Sequence, residues 1–284
     1  MSRPTAPPWD SAFAECSPIF EPLRGAARPF QESSATWPGL DDYQRVLNAL
    51  KSPISSANGK PLKIVPQSGR PRDFGQHYAP RVYFAGELQT RTENWHDFFQ
   101  LLTWIVFPRT KATINARHIP MLEARLAGGA DVGRRSPAEN MLSLFDEGGA
   151  VVLAADKSLL ALIREFRWKE LFWGRRGELA ASLSCVIFGH AVYEKALSPY
   201  LGLTANCVLL QVEQALLQRD IECQLRWIDN RLAQLFADEE CLRTPHDLAP
   251  LPILGLPGWD PVNERETYYD NERYFRPGRA HTGA

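Results

Sequence analysis

The chain has no apolar run approaching the ~20 residues that a membrane-spanning helix needs, which argues against an integral membrane protein. It has no C-x-x-C pair, and its five cysteines (Cys16, Cys185, Cys207, Cys223, Cys241) are odd in number. That argues against a disulfide framework and a thiolate zinc site. There is no G-x-x-x-x-G-K-[ST] loop, no G-x-G-x-x-G, no H-E-x-x-H, no G-x-S-x-G and no EF-hand loop. Their absence removes the familiar nucleotide, metalloprotease, serine-hydrolase and calcium signatures, though not enzymes in general. Nor is there an excess of charge of either sign: 32 basic residues face 33 acidic ones. No global field steers the protein toward nucleic acid or a membrane surface. Solenoid-type repeats are missing too. Residues 1–10 contain Pro4, Pro7 and Pro8 but no apolar signal-peptide segment, and with the free thiols this reads as cytoplasmic.

What is present is an ordinary globular composition, 44% hydrophobic and 23% charged over 284 residues, enough to bury a core without staples. The pattern predicts a mainly helical single α+β domain with a small antiparallel sheet or hairpin and extended terminal arms. The domain spans 36–244. Residues 1–35, rich in Pro, Ala and Ser, read as an extended N-terminal arm. Residues 245–284, with six prolines and the aromatics Trp259, Tyr268, Tyr269, Tyr274 and Phe275, read as a C-terminal arm that packs on the domain or receives a protein partner.

Helices are expected at 41–50, at 93–107 with Thr92 as N-cap, at 109–126 after the break at Pro108 and before Gly128-Gly129, at 157–166, in a Trp-rich turn at 168–176, and at 190–197. The region 207–236 reads as mostly helical. Strands are expected at 62–65, 81–85 and 183–188. Residues 141–145 and 150–154 read as a hairpin with Asp146-Glu147 at its tip.

The polar residues of the 93–126 block carry the functional signal. His96 lies 12 positions before Pro108 and His118 lies 10 after it. In an antiparallel helix pair their heights then differ by about 3 Å. Asn115 and His118 share a face at i, i+3, so His96, Asp97, Asn115 and His118 converge. The bland alternative is a buried network whose members satisfy one another. Asp146 and Glu147 suit a hard cation, or plain turn chemistry. His190 and Glu194, at i, i+4 after a strand, suit two metal ligands, a base oriented by a carboxylate, or a simple hydrogen bond. His77, His246 and His281 read as surface residues.

Several separated segments resemble a bacterial protein family of unknown function. They are Asn94-Trp95-His96-Asp97-Phe98-Phe99, Phe107-Pro108-Arg109-Thr110-Lys111, Asn115 to His118, Leu144-Phe145-Asp146-Glu147, Phe188-Gly189-His190-Ala191 with Glu194-Lys195, and residues 250–259. The resemblance implies a single-domain family and brings no activity, cofactor or catalytic residue.

From the residues themselves the expectation is a metal-assisted hydrolase of a small anionic (phospho)ester. His96, Asp97, His118, His190 and Glu194 are the candidate catalytic residues, and Arg109, Lys111 and Asn115 the candidate substrate binders. His96, His118, Asp146, Glu147 and His190 are the candidate ligands of a divalent Zn, Mn or Fe ion. The alternative is a non-enzymatic binding or scaffold protein. A weaker one is nucleic-acid binding through residues 60–125, where ten basic residues face five acidic ones. A solvent-connected pocket over His96 and His190 favours chemistry, and a sealed cluster favours structure.

Overall fold

A four-stranded sheet of order β4-β3-β5-β6 lies at the centre of the computed structural model, which describes residues 7–31, 36–128 and 135–278. Strand β3 (Gly149–Ala154) is buried throughout and pairs antiparallel with β4 (Leu183–Ile187) and parallel with β5 (Thr204–Gln211). Strand β6 (Ala249–Pro252) runs antiparallel to β5. Successive side chains of a strand point to opposite faces. Ala150, Val152 and Ala154 therefore join one apolar cluster, while Val151 and Leu153 join a second one with Phe107, Phe145, Ile228 and Phe236. The sheet is thus mixed rather than purely antiparallel, within an α+β domain. No helix among the described residues is long and apolar enough to cross a membrane.

The first 35 residues are not an extended arm where they are described. Two 3-10 segments (Phe13–Glu15, Pro18–Leu23) lead into α1 (Arg24–Gln31) and bury Phe13, Phe20, Leu23, Ala27 and Phe30. The spacing Phe20, Leu23, Ala27, Phe30 is helical, and the proline-rich composition masks it. These residues seat α4 (Trp95–Val106): Phe13 meets Trp95, Phe98 and Phe99 edge-on at 5.3–5.7 Å.

After α2 (Leu40–Ala49), β1 (Lys63–Pro66) pairs parallel with β2 (Glu87–Thr90). The strand expected at 81–85 is instead a π-helical turn that continues α3 (Tyr78–Pro80) and ends at Gly86. The N-cap of α4 is Asn94, whose side chain accepts from the Asp97 N–H at 3.1 Å, so Thr92 is not the cap. Helix α5 (Pro108–Ala127) starts at the expected proline. Its partner is chiefly α11 (Ile221–Ala237), and α4 lies chiefly on α9 (His190–Ala196). The expected side-by-side pairing of α4 with α5 is the lesser contact.

The hairpin at 141–154 does not form. Its first half is the end of α6 (Pro137–Gly148), capped by Ser136, with Met141, Leu142 and Phe145 buried at helical spacing. Asp146 and Glu147 therefore occupy the last turn of a helix. Helices α7 (Lys157–Arg164) and α8 (Arg176–Ser182) follow β3 and precede β4. The region expected to be helical from 207 begins as strand β5; its helices are α10 (Gln214–Leu217) and α11. A short apolar run such as Cys207-Val208-Leu209-Leu210 cannot be told from a helix by periodicity alone. Beyond β6, Tyr269, Tyr274 and Phe275 are buried, and the Tyr274 hydroxyl donates to the Leu203 carbonyl at 2.7 Å. His281 lies outside the described residues.

Candidate active site

Two glycines let the site assemble. A Cβ on Gly189 would stand 2.3 Å from the Glu147 carbonyl oxygen, and one on Gly149 would stand 2.3 Å from that of Phe145. The turn from β4 into α9 thereby passes against the end of α6, with Gly189 N–H donating to the Gly149 carbonyl at 2.8 Å. This close passage sets His190, the first residue of α9, beside Asp146.

Helix α4 brings His96 to the same place. Its Nδ1 lies 3.0 Å from Oε2 of Glu194, and its Nε2 lies 3.1 Å from Nε2 of His190. The two rings meet edge-on with centroids 4.4 Å apart. On the far side of His190, Nδ1 is 4.0 Å from Asp146 Oδ2, while Asp146 Oδ1 accepts from Lys111 Nζ at 2.6 Å. A continuous line of polar groups thus runs Glu194, His96, His190, Asp146, Lys111. Lys111 is 2% exposed and lies 5.6 Å from the Trp104 ring centroid, a cation–π distance.

The hydrogens follow from the neighbours. Glu194 faces Nδ1 of His96, so that nitrogen carries a hydrogen and Nε2 carries the lone pair. His190 turns Nδ1 toward Asp146, whose backbone carbonyl and carboxylate are both acceptors, so the hydrogen of that ring sits on Nδ1 and its Nε2 lone pair faces that of His96. Burial pushes His190 down to about 3, with Lys111 and His96 acting in the same direction and Asp146 opposing them, so the ring is neutral. Burial also lowers His118. For Asp146 burial acts upward, but the charge and hydrogen bond of Lys111 outweigh it and hold the carboxyl below its usual value.

All of this faces a cavity of about 320 Å³. His96, His118, His190, Lys111, Asn115, Asp146 and Glu147 line it, so the structure brings seven of the expected residues together, and Glu194 stands directly behind His96. Two expected residues do not take part. Asp97 is turned to Arg91, accepting from its backbone N–H and from Nε and Nη2 at 2.7–2.9 Å. That clamp closes the turn in which Glu93 holds a left-handed φ of 51°, a costly conformation for this residue, and so positions the start of α4. Arg109 is exposed and does not line the cavity; its backbone N–H donates to Asp229.

The cavity also contains residues the sequence did not single out. His77, expected on the surface, is one; Tyr78, Gln100, Trp104, Arg125, Arg135, Glu139 and Ser143 are others. Gln100 follows His96 by one helical turn, which is a usable signal. Glu139 and Ser143 share α6 with Asp146, and that signal is lost when 141–145 is read as a strand.

Among the described residues no group of three or more His, Cys, Asp or Glu side chains is placed to hold a metal ion. The five-residue ligand set expected from the sequence is therefore not one coordination sphere, since Asp146 is bonded to Lys111 and Glu147 is exposed. The converging imidazole nitrogens of His96 and His190 remain as a pair of donors.

Comparison with curated proteins and with solved structures finds no match. One family does match, over residues 62–279, a span that takes in every residue of the cluster from Lys111 to Glu194 and His96 as well. The chain belongs to the family described as Protein of unknown function (DUF3025).

Proposed function

We propose that the protein is a hydrolase of a small anionic ester, a phosphoester in the first instance, with His96 as its general base. The observation that supports this most is the opening: the His96–His190 pair stands in a cavity wall, with the His96 side chain 29% exposed, instead of being sealed in the core. A network serving the core alone needs no access to solvent, whereas a base must meet its substrate.

In this reading His96 Nε2 takes a proton from water while the water oxygen bonds to the ester's phosphorus or acyl carbon. The bond from that centre to the alcohol oxygen breaks, and the imidazolium returns the proton to the alcohol. Glu194 orients the ring and stabilises its charge between the two transfers. Arg125 and Arg135 bring positive charge to the cavity, the former shared with Glu139 at 3.1 Å.

The spacing of the two imidazoles favours a second form of the same reading. A tetrahedral zinc with bonds of about 2.0–2.1 Å holds two nitrogens about 3.4 Å apart, and His96 and His190 stand 3.1 Å apart. A carboxylate behind a ligating histidine, as Glu194 stands behind His96, is the usual support of such a site.

The test is a panel of phosphoesters and carboxylic esters, with elemental analysis of wild type, His96→Ala, His118→Ala and His190→Ala. Turnover that falls by about 10²-fold or more in His96→Ala supports the reading. Near-stoichiometric metal lost in the histidine variants selects the metal-assisted form. No turnover and no metal, also after reconstitution, with variants merely less stable, returns the cluster to a structural network in a binding protein.

A further inference from the structure

Four buried side-chain polar atoms have no hydrogen-bond partner among the described residues, and two of them, Asn115 Oδ1 and His190 Nδ1, belong to residues lining this one cavity. Asn115 is 4% exposed. Its Nδ2 donates to the Ala79 carbonyl at 3.2 Å, which fixes the amide and leaves Oδ1 as the orphan. His190 Nδ1 faces the Asp146 carbonyl and carboxylate and carries the ring hydrogen, so it asks for no further donor. Buried polar groups are nearly always paired, so an orphan asks for a partner that arrives later. The Asn115 orphan is an acceptor, and the group it lacks is a donor.

The nearby cation does not supply it, since Lys111 is bonded to Asp146. The donor must come with the ligand. An ammonium would need a buried carboxylate for itself, but Asp146 is paired with Lys111, Glu139 with Arg125 and Glu194 with His96, and Glu147 is exposed. A neutral O–H suits a neutral amide oxygen.

We propose that the ligand of this cavity is a hydroxyl-bearing phosphoester, whose alcohol portion donates an O–H to Asn115 Oδ1. Asn115 is then the residue that determines specificity. The inference rests on the reading of the cavity as a substrate site and adds which part of the substrate is recognised. Sites built to bond a substrate hydroxyl discriminate strongly against the analogue that lacks it, because the protein's polar group is then left unpaired.

The test compares glycerol 3-phosphate with n-propyl phosphate, which match in charge and nearly in size, by titration calorimetry on the full chain. Wild type is expected to bind glycerol 3-phosphate at least ~10-fold more tightly. Asn115→Leu is expected to bring the ratio near one, and Asn115→Ser, which restores a small acceptor, to recover part of it; thermal melting confirms that both are folded. Equal binding of the two probes by wild type, as when a water molecule already satisfies Asn115 Oδ1, overturns the proposal. So does failure to bind either, or a ratio that survives Asn115→Leu. Binding is read without turnover, so a preference with no hydrolysis of any ester keeps this inference and removes the hydrolase reading, while hydrolysis without a preference does the reverse.

Discussion

Nε2 of His96 and Nε2 of His190 face each other at 3.1 Å, and each ring has a carboxylate on its other side, Glu194 at 3.0 Å and Asp146 at 4.0 Å. The two carboxylates are not equivalent. Glu194 is within hydrogen-bond reach and takes the His96 proton. Asp146 is beyond it and is bonded to Lys111 instead. The asymmetry separates the two rings: His96 has exposure and a carboxylate partner within hydrogen-bond reach, whereas His190 is buried and kept neutral.

That neutrality sets a dependence of stability on pH. His190 is pushed down to about 3 in the fold, while an unfolded histidine titrates near 6.5. Above 6.5 both states are neutral and the stability is complete. Between 6.5 and 3 the unfolded chain binds a proton that the folded one refuses, so stability falls with pH, by up to roughly 1.4 kcal/mol per unit from this residue. His118, lowered for the same reason, adds to the slope. Urea midpoints measured from pH 7 to pH 4 should drop steadily, and His190→Gln should flatten the curve. An unchanged curve in His190→Gln would show that the ring is protonated in the fold.

Removing Lys111 leaves the half-buried Asp146 carboxylate without its ion-pair partner. Lys111→Met is expected to destabilise the protein by about 3 kcal/mol, whereas Lys111→Met combined with Asp146→Leu recovers most of the loss. A double-mutant cycle by urea denaturation measures both. A double variant no better than the single one would mean that the pair matters through packing and not charge.

How much of this was legible in the sequence depended on whether the information was local. Lys111, Asn115 and His118 stand at i, i+4 and i+7 and so share one face of α5, and the structure puts all three in the cavity. The same rule, applied further, removes Arg109: two residues from Lys111 is about 200° around a helix, and Arg109 indeed points away. His190 and Glu194 share a face of α9 as expected, yet Glu194 bonds to His96, because α9 packs on α4. No spacing within α9 carries that fact. The arrival of Asp146 was hidden for another reason. Met-Leu-Ser-Leu-Phe reads equally as strand or helix, and the deciding signal is the upstream start Ser136-Pro137-Ala138-Glu139, an N-cap with proline at the first helical position.

The start of α5 depends on a residue from a distant helix. Asp229, buried in α11, accepts from the backbone N–H groups of Arg109 and Thr110 at 3.1 and 2.8 Å and from the Thr110 hydroxyl at 2.8 Å. It does the work of an N-cap that Phe107 cannot do. Asp229→Ala is expected to cost about 2 kcal/mol and to free the first turn of α5, and so to raise amide exchange there. Asp229→Asn keeps an acceptor and avoids burying a charge whose ionisation burial already disfavours, so it should cost less. Hydrogen exchange together with thermal melting distinguishes this from a loss spread over the whole fold. Asn as costly as Ala would mean that the negative charge at the helix N-terminus is what matters.

Gly189 is the position where the least chemistry should do the most damage. An alanine methyl there would stand 2.3 Å from the Glu147 carbonyl oxygen and 2.5 Å from the Gly149 nitrogen, both backbone atoms that no rotamer change can move aside. Either β4 leaves β3 or α9 moves away from α6, and the second carries His190 away from Asp146 and His96. The neighbouring Gly177 in α8 has nothing within 4 Å of such a methyl and serves as the control. Gly189→Ala is expected to lower stability by several kcal/mol, on the order of an overpacked core, and to separate the His96 and His190 rings. Gly177→Ala should do neither. The measurement is urea denaturation together with the chemical shifts of the histidine rings. A Gly189→Ala protein of wild-type stability and unchanged His96 and His190 resonances would show that the two backbones do not pass this closely, and the geometry of the His96–His190 pair would have to be redrawn.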